Sequence, residues 1–222
     1  MSRPAGYPDG PLLRPLIRDK VKTTNQIHGF LLEFGIILPT GDAVVKRLSL
    51  VLAEHEIPEY LSRLLMKLHS RYLYLIEQIT GLESQLNQSI KVDDTAQRIM
   101  TIPGVGPITA GLLSSQPGDG KQFSCSRDFA ASPGLVPRQY SIGGKSTLLV
   151  GISKRGDKNL RRLLVQCARS FMMRLEHQQG RLAEWVRKQP DYRHSNIVAC
   201  ALANKLARIA WAITMNRNDY QA

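Results

Sequence analysis

A run of apolar residues with heptad spacing limits the folds open to this chain more than any other feature of its sequence. Between Leu61 and Leu86, spacings of four and three residues alternate, which places the apolar side chains along one side of an α-helix. Pro58 stands where such a helix can begin, and Gly81 weakens it locally. We call the heptad positions the seam: Leu61, Leu65, Leu68, Tyr72, Leu75, Ile79, Leu82 and Leu86.

The seam predicts a long helix that needs an apolar partner. One interpretation is a coiled coil in which residues 58–90 pair with another chain. The other is a helix that packs on helices of its own chain, such as one predicted for residues 16–34. The spacing is compatible with both, because a seam of this length serves either purpose.

The rest of the sequence predicts a mainly α protein. Four prolines in residues 1–15 predict an irregular N-terminal segment. Residues 16–92 predict a helical, coiled-coil-like arm, in which Asp42 caps a second helix. Residues 93–222 predict a compact α-rich domain with a helix-hairpin-helix-like element and a small β-hairpin within residues 135–153.

The composition favours a folded protein with a polyanionic partner. The chain has 222 residues, of which 43% are hydrophobic, enough to bury a core. Its net charge of +12 is typical of proteins that bind nucleic acid, with a merely soluble basic protein as the alternative. Aromatic residues make up 6%, which disfavours a stacking platform for single strands.

Three further features bear on metal sites and location. Cys125, Cys167 and Cys200 are odd in number and far apart, which predicts reduced thiols in a cytoplasmic protein. No His or Cys spacing is typical of zinc, so no metal site is predicted. No apolar run reaches the ~18 residues of a membrane span, and no apolar signal segment opens the chain, so no membrane partner is predicted.

The stretch from Ile102 to Ala110 reads Ile-Pro-Gly-Val-Gly-Pro-Ile-Thr-Ala, which is similar to the turn of a helix-hairpin-helix element. Gly104 and Gly106 allow positive φ and close approach of the backbone to a phosphate. The helix that follows presents its N–H groups to the same anion, which predicts DNA-backbone contacts by Gly104, Gly106 and Thr109. The alternative is a tight turn between helices with no ligand.

Positive charge is concentrated just downstream. Residues 138–174 contain nine basic residues and a single acid, Asp157. In the helix predicted to begin after Asp157, the apolar residues share one side and the basic residues a broad opposite face. A charge run is usually only a solvated surface, but this one has a single sign and follows a phosphate-type turn. The predicted DNA contacts here are Arg138, Lys145, Lys154, Arg155, Lys158, Arg161 and Arg162.

One serine in this segment is a candidate nucleophile. Ser141 precedes Ile-Gly-Gly and lies between Arg138 and Lys145, so its hydroxyl could attack a phosphodiester held by the cations. The alternative is ordinary turn chemistry, which often places serine beside glycines.

These motifs together resemble the C-terminal two-thirds of transposases of the insertion sequence 110/1111 family, over about Asp19 to Asn216. The resemblance rests on Ile102–Ala110, on Phe-Ala-Ala-Ser-Pro-Gly-Leu-Val-Pro-Arg-Gln from Phe129, and on Gly-Ile-Ser-Lys-Arg-Gly-Asp-Lys-Asn-Leu-Arg-Arg-Leu-Leu from Gly151. It implies a nuclease-like domain of RNase H type with four metal-binding acids, a coiled coil, and a transposase domain with a nucleophilic serine. It also implies DNA recombination by an oligomer that is guided by an element-encoded RNA.

Two departures from the family pattern modify this expectation. The family-like sequence begins only near Asp19 and does not include the acidic domain, so no metal cofactor is expected in this chain. The family's serine position falls on Ile142, and Ser141 is one residue early. We therefore expect a DNA-binding transposase of an insertion sequence that is a truncated and catalytically impaired copy. The alternatives are an active recombinase that uses Ser141 and a non-catalytic protein that pairs with intact transposase.

The resemblance also sets the expected partners. They are DNA, a guide RNA, and either a second copy or an intact transposase bound through residues 58–90. The expected location is the bacterial cytoplasm, in association with the nucleoid.

Overall fold

A computed structural model of the chain describes residues 9–39, 41–42, 45, 47–116, 122–142, 145–189 and 194–221. For residues 9–11, 140–142 and 145–150 only the backbone is described. The chain divides into two compact units, with the boundary between Leu86 and Asn87. We call residues 9–86 the first unit and residues 87–221 the second unit.

Helices dominate both units, which confirms the mainly α prediction. The first unit contains α1 (Asp9–Glu33), α2 (Leu48–Glu54) and most of α3 (Glu59–Val92), which continues past the boundary. The second unit contains α4 (Asp94–Met100), α5 (Pro107–Ser115), α6 (Ser126–Ala131), β1 (Pro137–Ile142), β2 (Lys145–Ile152), α7 (Lys158–Met173), a 3-10 turn (Leu175–His177), α8 (Arg181–Arg187) and α9 (Ser195–Asn216).

The N-terminal helix begins earlier than its prolines predicted. The prediction of an irregular segment is wrong for residues 9–15, because α1 begins at Asp9 and includes Pro15; residues 1–8 lie outside the described part of the chain. Proline removes one backbone hydrogen bond from a helix. Leu13 lies in the same stretch of α1 and is only 1% exposed. The free energy gained by burying its side chain opposes the cost of the lost hydrogen bond.

The helix predicted after Asp42 is described only at Val45 and from Arg47 onwards. Its described part is α2, and Arg47 stands at the N-cap without a side-chain hydrogen bond. The Asp42 carboxylate accepts a hydrogen bond from Lys20 Nζ of α1 at 2.7 Å, and its predicted role as a cap falls on residues outside the described part of the chain. Residues 43, 44 and 46, which belong to the predicted helix, lie outside the described residues.

The seam is buried within a single chain. Leu61, Leu65 and Tyr72 form one apolar cluster with Ile27 and Leu31 of α1 and with residues of α2. Further along α3, the seam residues Leu75, Ile79 and Leu86 are also buried, while Leu68 and Leu82 are half-buried. Of the two interpretations that the spacing left open, the packing therefore favours the helix that packs on its own chain.

The second unit is built around α9. Its buried residues, among them Leu202 and Leu206, belong to a core that also contains Leu160 and Phe171 of α7 and Phe129 of α6. The helix contacts α4, α6 and α7. By length and composition α9 is the one described helix that could cross a membrane, which differs from the expectation of no such segment. Eight of its apolar residues are buried in the core of the second unit, where they pack against the other helices.

The predicted hairpin is present. Strands β1 and β2 pair in antiparallel fashion, with Ser141 opposite Ser146 and Ile142 opposite Lys145. The register shifts between Pro137 and Arg138, at the base of the hairpin. Residues 143 and 144 lie outside the described residues.

Candidate nucleic-acid interface

The glycine-proline stretch forms a turn between two short helices, as predicted. Asp93 caps α4 by accepting hydrogen bonds from the backbone N–H groups of Thr95 and Ala96 at 2.9 and 3.1 Å. After the turn, Pro107 occupies the first turn of α5 and Gly106 is its N-cap, which offers no side chain to the helix. Val105 is 8% exposed and belongs to the core of the second unit, so its side chain anchors the turn.

The two glycines of this turn are required for different reasons. Gly104 has φ +85°, and a Cβ there would lie 2.9 Å from the Cys167 carbonyl oxygen of α7. Internal packing therefore explains Gly104 without a ligand. Gly106 has φ −100°, and a Cβ there would meet nothing within 4 Å. Packing therefore does not require glycine at position 106, and the backbone of Gly106 hydrogen-bonds to the buried Cys167 thiol.

Thr109 is a correction to the predicted contacts. The residue is 4% exposed, and its hydroxyl oxygen lies 3.4 Å from the Cys167 sulfur, which donates to it. Burial raises the pKa of the Cys167 thiol, while the hydrogen bonds with Thr109 and the Gly106 backbone oppose this rise. The Thr109 side chain therefore joins α5 to α7 in the core and does not face a ligand. The sequence motif correctly predicted that Thr109 lies on α5, but it did not predict that the side chain faces the core.

Two loops at the base of the hairpin hold each other closely. We call residues 132–136 together with 153–157 the neck. Three backbone hydrogen bonds connect its two halves, from Ser153 to Val136, from Lys154 to Gly134 and from Asp157 to Ser132, at 2.8, 3.1 and 3.3 Å. The neck therefore fixes the start of α7 relative to the hairpin.

The neck leaves no room for side chains at its glycines. A Cβ at Gly156 would lie 1.8 Å from the Ser132 carbonyl oxygen, and one at Gly134 would lie 2.1 Å from that of Arg155. Both glycines also have positive φ, of +93° and +72°. Close backbone approach, not ligand binding, thus accounts for these glycines.

Helix α7 carries its exposed cations on one side. Asp157 caps the helix through the backbone N–H groups of Asn159 and Leu160, at 2.7 and 2.9 Å, and also accepts a hydrogen bond from the Gln116 side chain. Asp157, the single acid of residues 138–174, therefore has its carboxylate bonded to the N-terminal backbone of α7. At 100° per residue, the exposed residues Lys158, Arg162 and Arg169 lie within about 40° of one line along the helix.

Arg161 differs from these cations. It is half-buried, and its Nη1 donates to the Pro133 carbonyl oxygen at 2.6 Å. This bond ties α7 to the neck, so part of the Arg161 guanidinium serves the fold. Arg169 Nη2 donates to Asn196 Oδ1 of α9 at 2.8 Å while the residue remains exposed.

The structure brings some predicted contacts together and separates others. Lys154 and Arg155 are exposed in the neck, directly before Lys158, and Arg138 is exposed at the base of β1. For Lys145 and Ser141 only the backbone register in the hairpin is described. Gly104 contacts Cys167 and Phe171, which are buried on the side of α7 opposite its exposed cations.

This geometry divides the predicted interface into two surfaces. One consists of the neck and the exposed side of α7, which we call the cationic face: Arg138, Lys154, Arg155, Lys158, Arg162 and Arg169. The other is the turn around Gly106, on the far side of α7. The sequence could not reveal this division, because both segments are basic or glycine-rich and adjacent in the chain.

A cavity of about 820 Å³ lies beside the neck, and none of its residues on α8 and α9 belongs to a recognised sequence motif. Its wall includes Lys154 and brings in Trp185 of α8 and Asn196, Lys205 and Arg208 of α9. These residues lie far from the recognised motifs and are brought there by the packing of α9 on α7. No local signal in the sequence indicates this juxtaposition. Within the described part of the chain, no group of three or more His, Cys, Asp or Glu residues could hold a metal ion.

The segment that contains the turn, the neck and α7 is similar in sequence to insertion-sequence transposases. Residues 96–183 match the Transposase IS116/IS110/IS902 family. The chain is 66% identical over 199 residues to the transposase for insertion sequence element IS1328 of Yersinia enterocolitica, an alignment that covers 90% of this chain and 59% of that protein. It is 35% identical over 209 residues to the transposase for insertion sequence element IS1111A of Coxiella burnetii, covering 93% and 57%.

These matches to the family model and to the two transposases confirm the resemblance recognised in the sequence. A more distant relative, the pilin gene-inverting protein of Moraxella bovis, is 28% identical over 159 residues, covering 65% of this chain and 45% of that protein. The alignments with the IS1328 and IS1111A transposases cover less than two thirds of their length.

Proposed function

We propose that the second unit binds duplex DNA through the cationic face, as part of a transposition reaction. The observation that carries this proposal is the alignment of Lys158, Arg162 and Arg169 on the exposed side of α7, directly after the cations of the neck. The hydrogen bonds of the neck hold both sets of cations on one rigid support. Such a surface contacts phosphates and positions DNA with weak sequence preference.

The names of the relatives support a DNA substrate. Two are transposases for insertion sequence elements, and a third is a gene-inverting protein. Moving or inverting DNA requires strands to be cut and joined, so a protein of this lineage must hold the phosphate backbone. We propose that the location of the protein follows its substrate, at the nucleoid of a bacterial cell.

The salt dependence of DNA binding tests the proposal. Replacing Lys158, Arg162 and Arg169 by Gln should flatten the slope of log K against log salt by up to about three units if each cation meets a phosphate. The measurement is fluorescence anisotropy of a labelled duplex over a range of salt concentrations. A matched control removes three exposed cations from α3, by replacing Arg63, Lys67 and Arg71 with Gln.

The two variants separate a specific surface from net charge. We expect the α3 variant to keep the slope of the wild type, because its cations lie outside the cationic face. Equal slopes for both variants would contradict the proposed surface. In that case a Gly106→Glu variant, which adds a carboxylate at the turn, would show whether the duplex lies at α5 instead.

We further propose that strand-transfer chemistry is impaired in this chain. The family's serine position falls on Ile142, and Ser141 precedes it in β1, opposite Ser146. Positions 141 and 142 are not equivalent, because strand positions alternate between the two faces of a hairpin. A displacement of about 1 Å at a reacting group can already cost about 100-fold in rate.

A covalent-adduct experiment tests this second proposal. The protein is mixed with labelled, pre-nicked DNA that carries the ends of an insertion sequence, with the element's guide RNA present, and is then run on a denaturing gel. We expect no shifted band. A band that survives denaturation and is lost in Ser141→Ala would show instead an active recombinase that uses Ser141.

The packing of the seam bears on the expected oligomer. Since the seam is buried within the chain, we propose that a second copy or an intact transposase would bind the exposed apolar side of α3. Tyr60 and Leu64 are 66% and 40% exposed and lie one turn apart, and Tyr74 is 59% exposed on the same side. This proposal keeps the predicted segment 58–90 but moves the contact away from the seam.

Sedimentation separates these possibilities. Tyr60→Glu with Tyr74→Glu should convert an oligomer into a monomer without loss of helix content. A wild-type monomer at tens of micromolar would contradict self-association; binding to an intact transposase would then be measured directly.

A further inference from the structure

The cavity beside the neck is large, apolar inside and open. Its volume of about 820 Å³ falls in the range of about 300–1,000 Å³ that is usual for small-molecule sites. Leu135 and Pro137 line it from the neck and the base of β1, Ile152 from the end of β2, and Ile197 and Ala201 from α9. A ligand that enters it must therefore bring an apolar surface.

Charge at the cavity has a single sign. Lys154, Lys205 and Arg208 line it, and its described lining contains no acid. Lys205 Nζ lies 4.8 Å from the centre of the Trp185 ring, which also lines the cavity. A ligand suited to this wall combines an anionic group with a flat apolar ring, since cations and an indole stand side by side.

Two amides at the cavity are held in place. Asn204 Nδ2 donates to the Leu135 carbonyl oxygen at 3.1 Å, and Asn196 Oδ1 accepts from Arg169 at 2.8 Å. Arg169 belongs to the cationic face, so one hydrogen bond joins that face to the wall of the cavity. A strand held on α7 thus has the cavity directly beside it.

Lys154 connects the cavity with the neck. It lines the cavity and adopts φ +57°, a left-handed conformation that is unfavourable for a residue other than glycine. Its backbone N–H donates to Gly134 in the neck. The neck thus holds the Lys154 backbone at the edge of the cavity.

We propose that this cavity binds the base of an unpaired nucleotide next to DNA held on the cationic face, with its phosphate among Lys154, Lys205 and Arg208. The inference rests on the proposed DNA binding and names a second, separate contact. The low aromatic content argues against an extended stacking platform, whereas a single cavity with one indole needs no platform.

Two residues of the cavity serve as reporters. The chain has two tryptophans, so Trp211→Phe leaves Trp185 as the single indole. An oligothymidylate of about ten nucleotides should quench its fluorescence in a saturable way, while a blunt duplex should quench it much less. Cys200 also lines the cavity, and in a Cys125→Ser variant the same oligonucleotide should slow its labelling by a maleimide.

A filled cavity provides the decisive variant. Ala201 is exposed and lines the cavity, so Ala201→Phe occupies its interior from the surface of α9. We expect this variant to bind the oligothymidylate about tenfold more weakly and to bind a blunt duplex as the wild type does. Ala131→Phe is the matched control, because Ala131 is exposed but does not line the cavity.

The outcomes distinguish this inference from the proposed function. An unchanged salt slope in the α7 variant together with quenching by the oligonucleotide would overturn the cationic face and keep the cavity. Equal binding of the oligonucleotide by Ala201→Phe and Ala131→Phe would overturn the cavity proposal. Slow labelling of Cys200 at high protein concentration without nucleic acid would also overturn it, because a protein segment would then fill the cavity.

Discussion

The two units of the molecule differ in what decides which residues are buried. In the first unit, one repeated spacing along α3 places Leu61, Leu65 and Tyr72 in a cluster with α1 and α2. In the second unit, close approaches between backbone segments decide the geometry, as between Gly156 and Ser132. The periodic seam thus tolerates a position such as Leu68 that is only half-buried. The neck has no space for a Cβ atom at Gly134 or Gly156. Substitutions in the seam, the neck, the α7 cap and the buried thiol test this contrast.

A buried charge in the seam should have the largest effect. Leu65 is fully buried, so Leu65→Asp removes apolar burial and places a carboxylate in the core of the first unit. We expect a loss of more than about 4 kcal/mol, enough to unfold that unit. Leu64→Asp is the adjacent control; Leu64 is 40% exposed, and its change should cost less than about 1 kcal/mol. Circular dichroism and urea unfolding measure both, and similar losses would show that the seam does not direct the packing.

A methyl group in the neck should have the next largest effect. Gly156→Ala adds a Cβ 1.8 Å from the Ser132 carbonyl oxygen at a positive φ. We expect a cost of about 3 kcal/mol or more in the free energy of unfolding of the second unit. Gly151→Ala isolates the backbone part of this cost, because Gly151 has φ +108° but nothing within 4 Å of its Cβ position. That variant should lose about 1–2 kcal/mol, and equal losses would mean that the close approach is unimportant.

The cap of α7 should contribute less. Asp157→Ala removes the acceptor for the N–H groups of Asn159 and Leu160, which we expect to cost about 1 kcal/mol. Asp157→Asn keeps a capping oxygen and should stay within about 0.5 kcal/mol of the wild type. Thermal unfolding measures both variants. Equal losses in the two variants would show that the negative charge at the helix N-terminus, not the hydrogen bond, carries the effect.

The buried thiol should give the smallest effect, and only at high pH. Burial raises the pKa of Cys167 above its ordinary value of 9.0, so the folded state holds the proton more tightly than the unfolded state. The stability due to this group is complete below about pH 9 and is lost as the pH rises through the folded pKa. Cys167→Ala should therefore lose less stability than the wild type between neutral and strongly alkaline pH. Parallel pH profiles for the two proteins would contradict the assignment.

Much of the fold could be predicted from the sequence, because its signals are local. The long helix, the turn at Gly104 and Gly106, the hairpin and the cap at Asp157 all follow from spacing and turn chemistry. The start of α1 could not be predicted, because burial of Leu13 opposes the cost of Pro15.

The candidate site was harder to predict, because its geometry depends on residues distant in sequence. The motif indicated that Thr109 follows the turn, but only the packing of α5 on α7 shows its hydroxyl beside Cys167. The basic run indicated Arg161, but its hydrogen bond to Pro133 spans 28 residues. Lys205 and Arg208 reach the cavity only through the packing of α9 on α7.

The neck has a consequence for how this domain can diverge. A backbone hydrogen bond between Val136 and Ser153 joins the two ends of the hairpin segment, which we call the cassette. Because this bond uses only backbone atoms, it does not depend on the side chains within the cassette. An exchange of this cassette between relatives leaves the rest of the domain in register, provided that the glycines at 134 and 156 are kept. Sequence changes within the hairpin can therefore accumulate without damage to the rest of the domain.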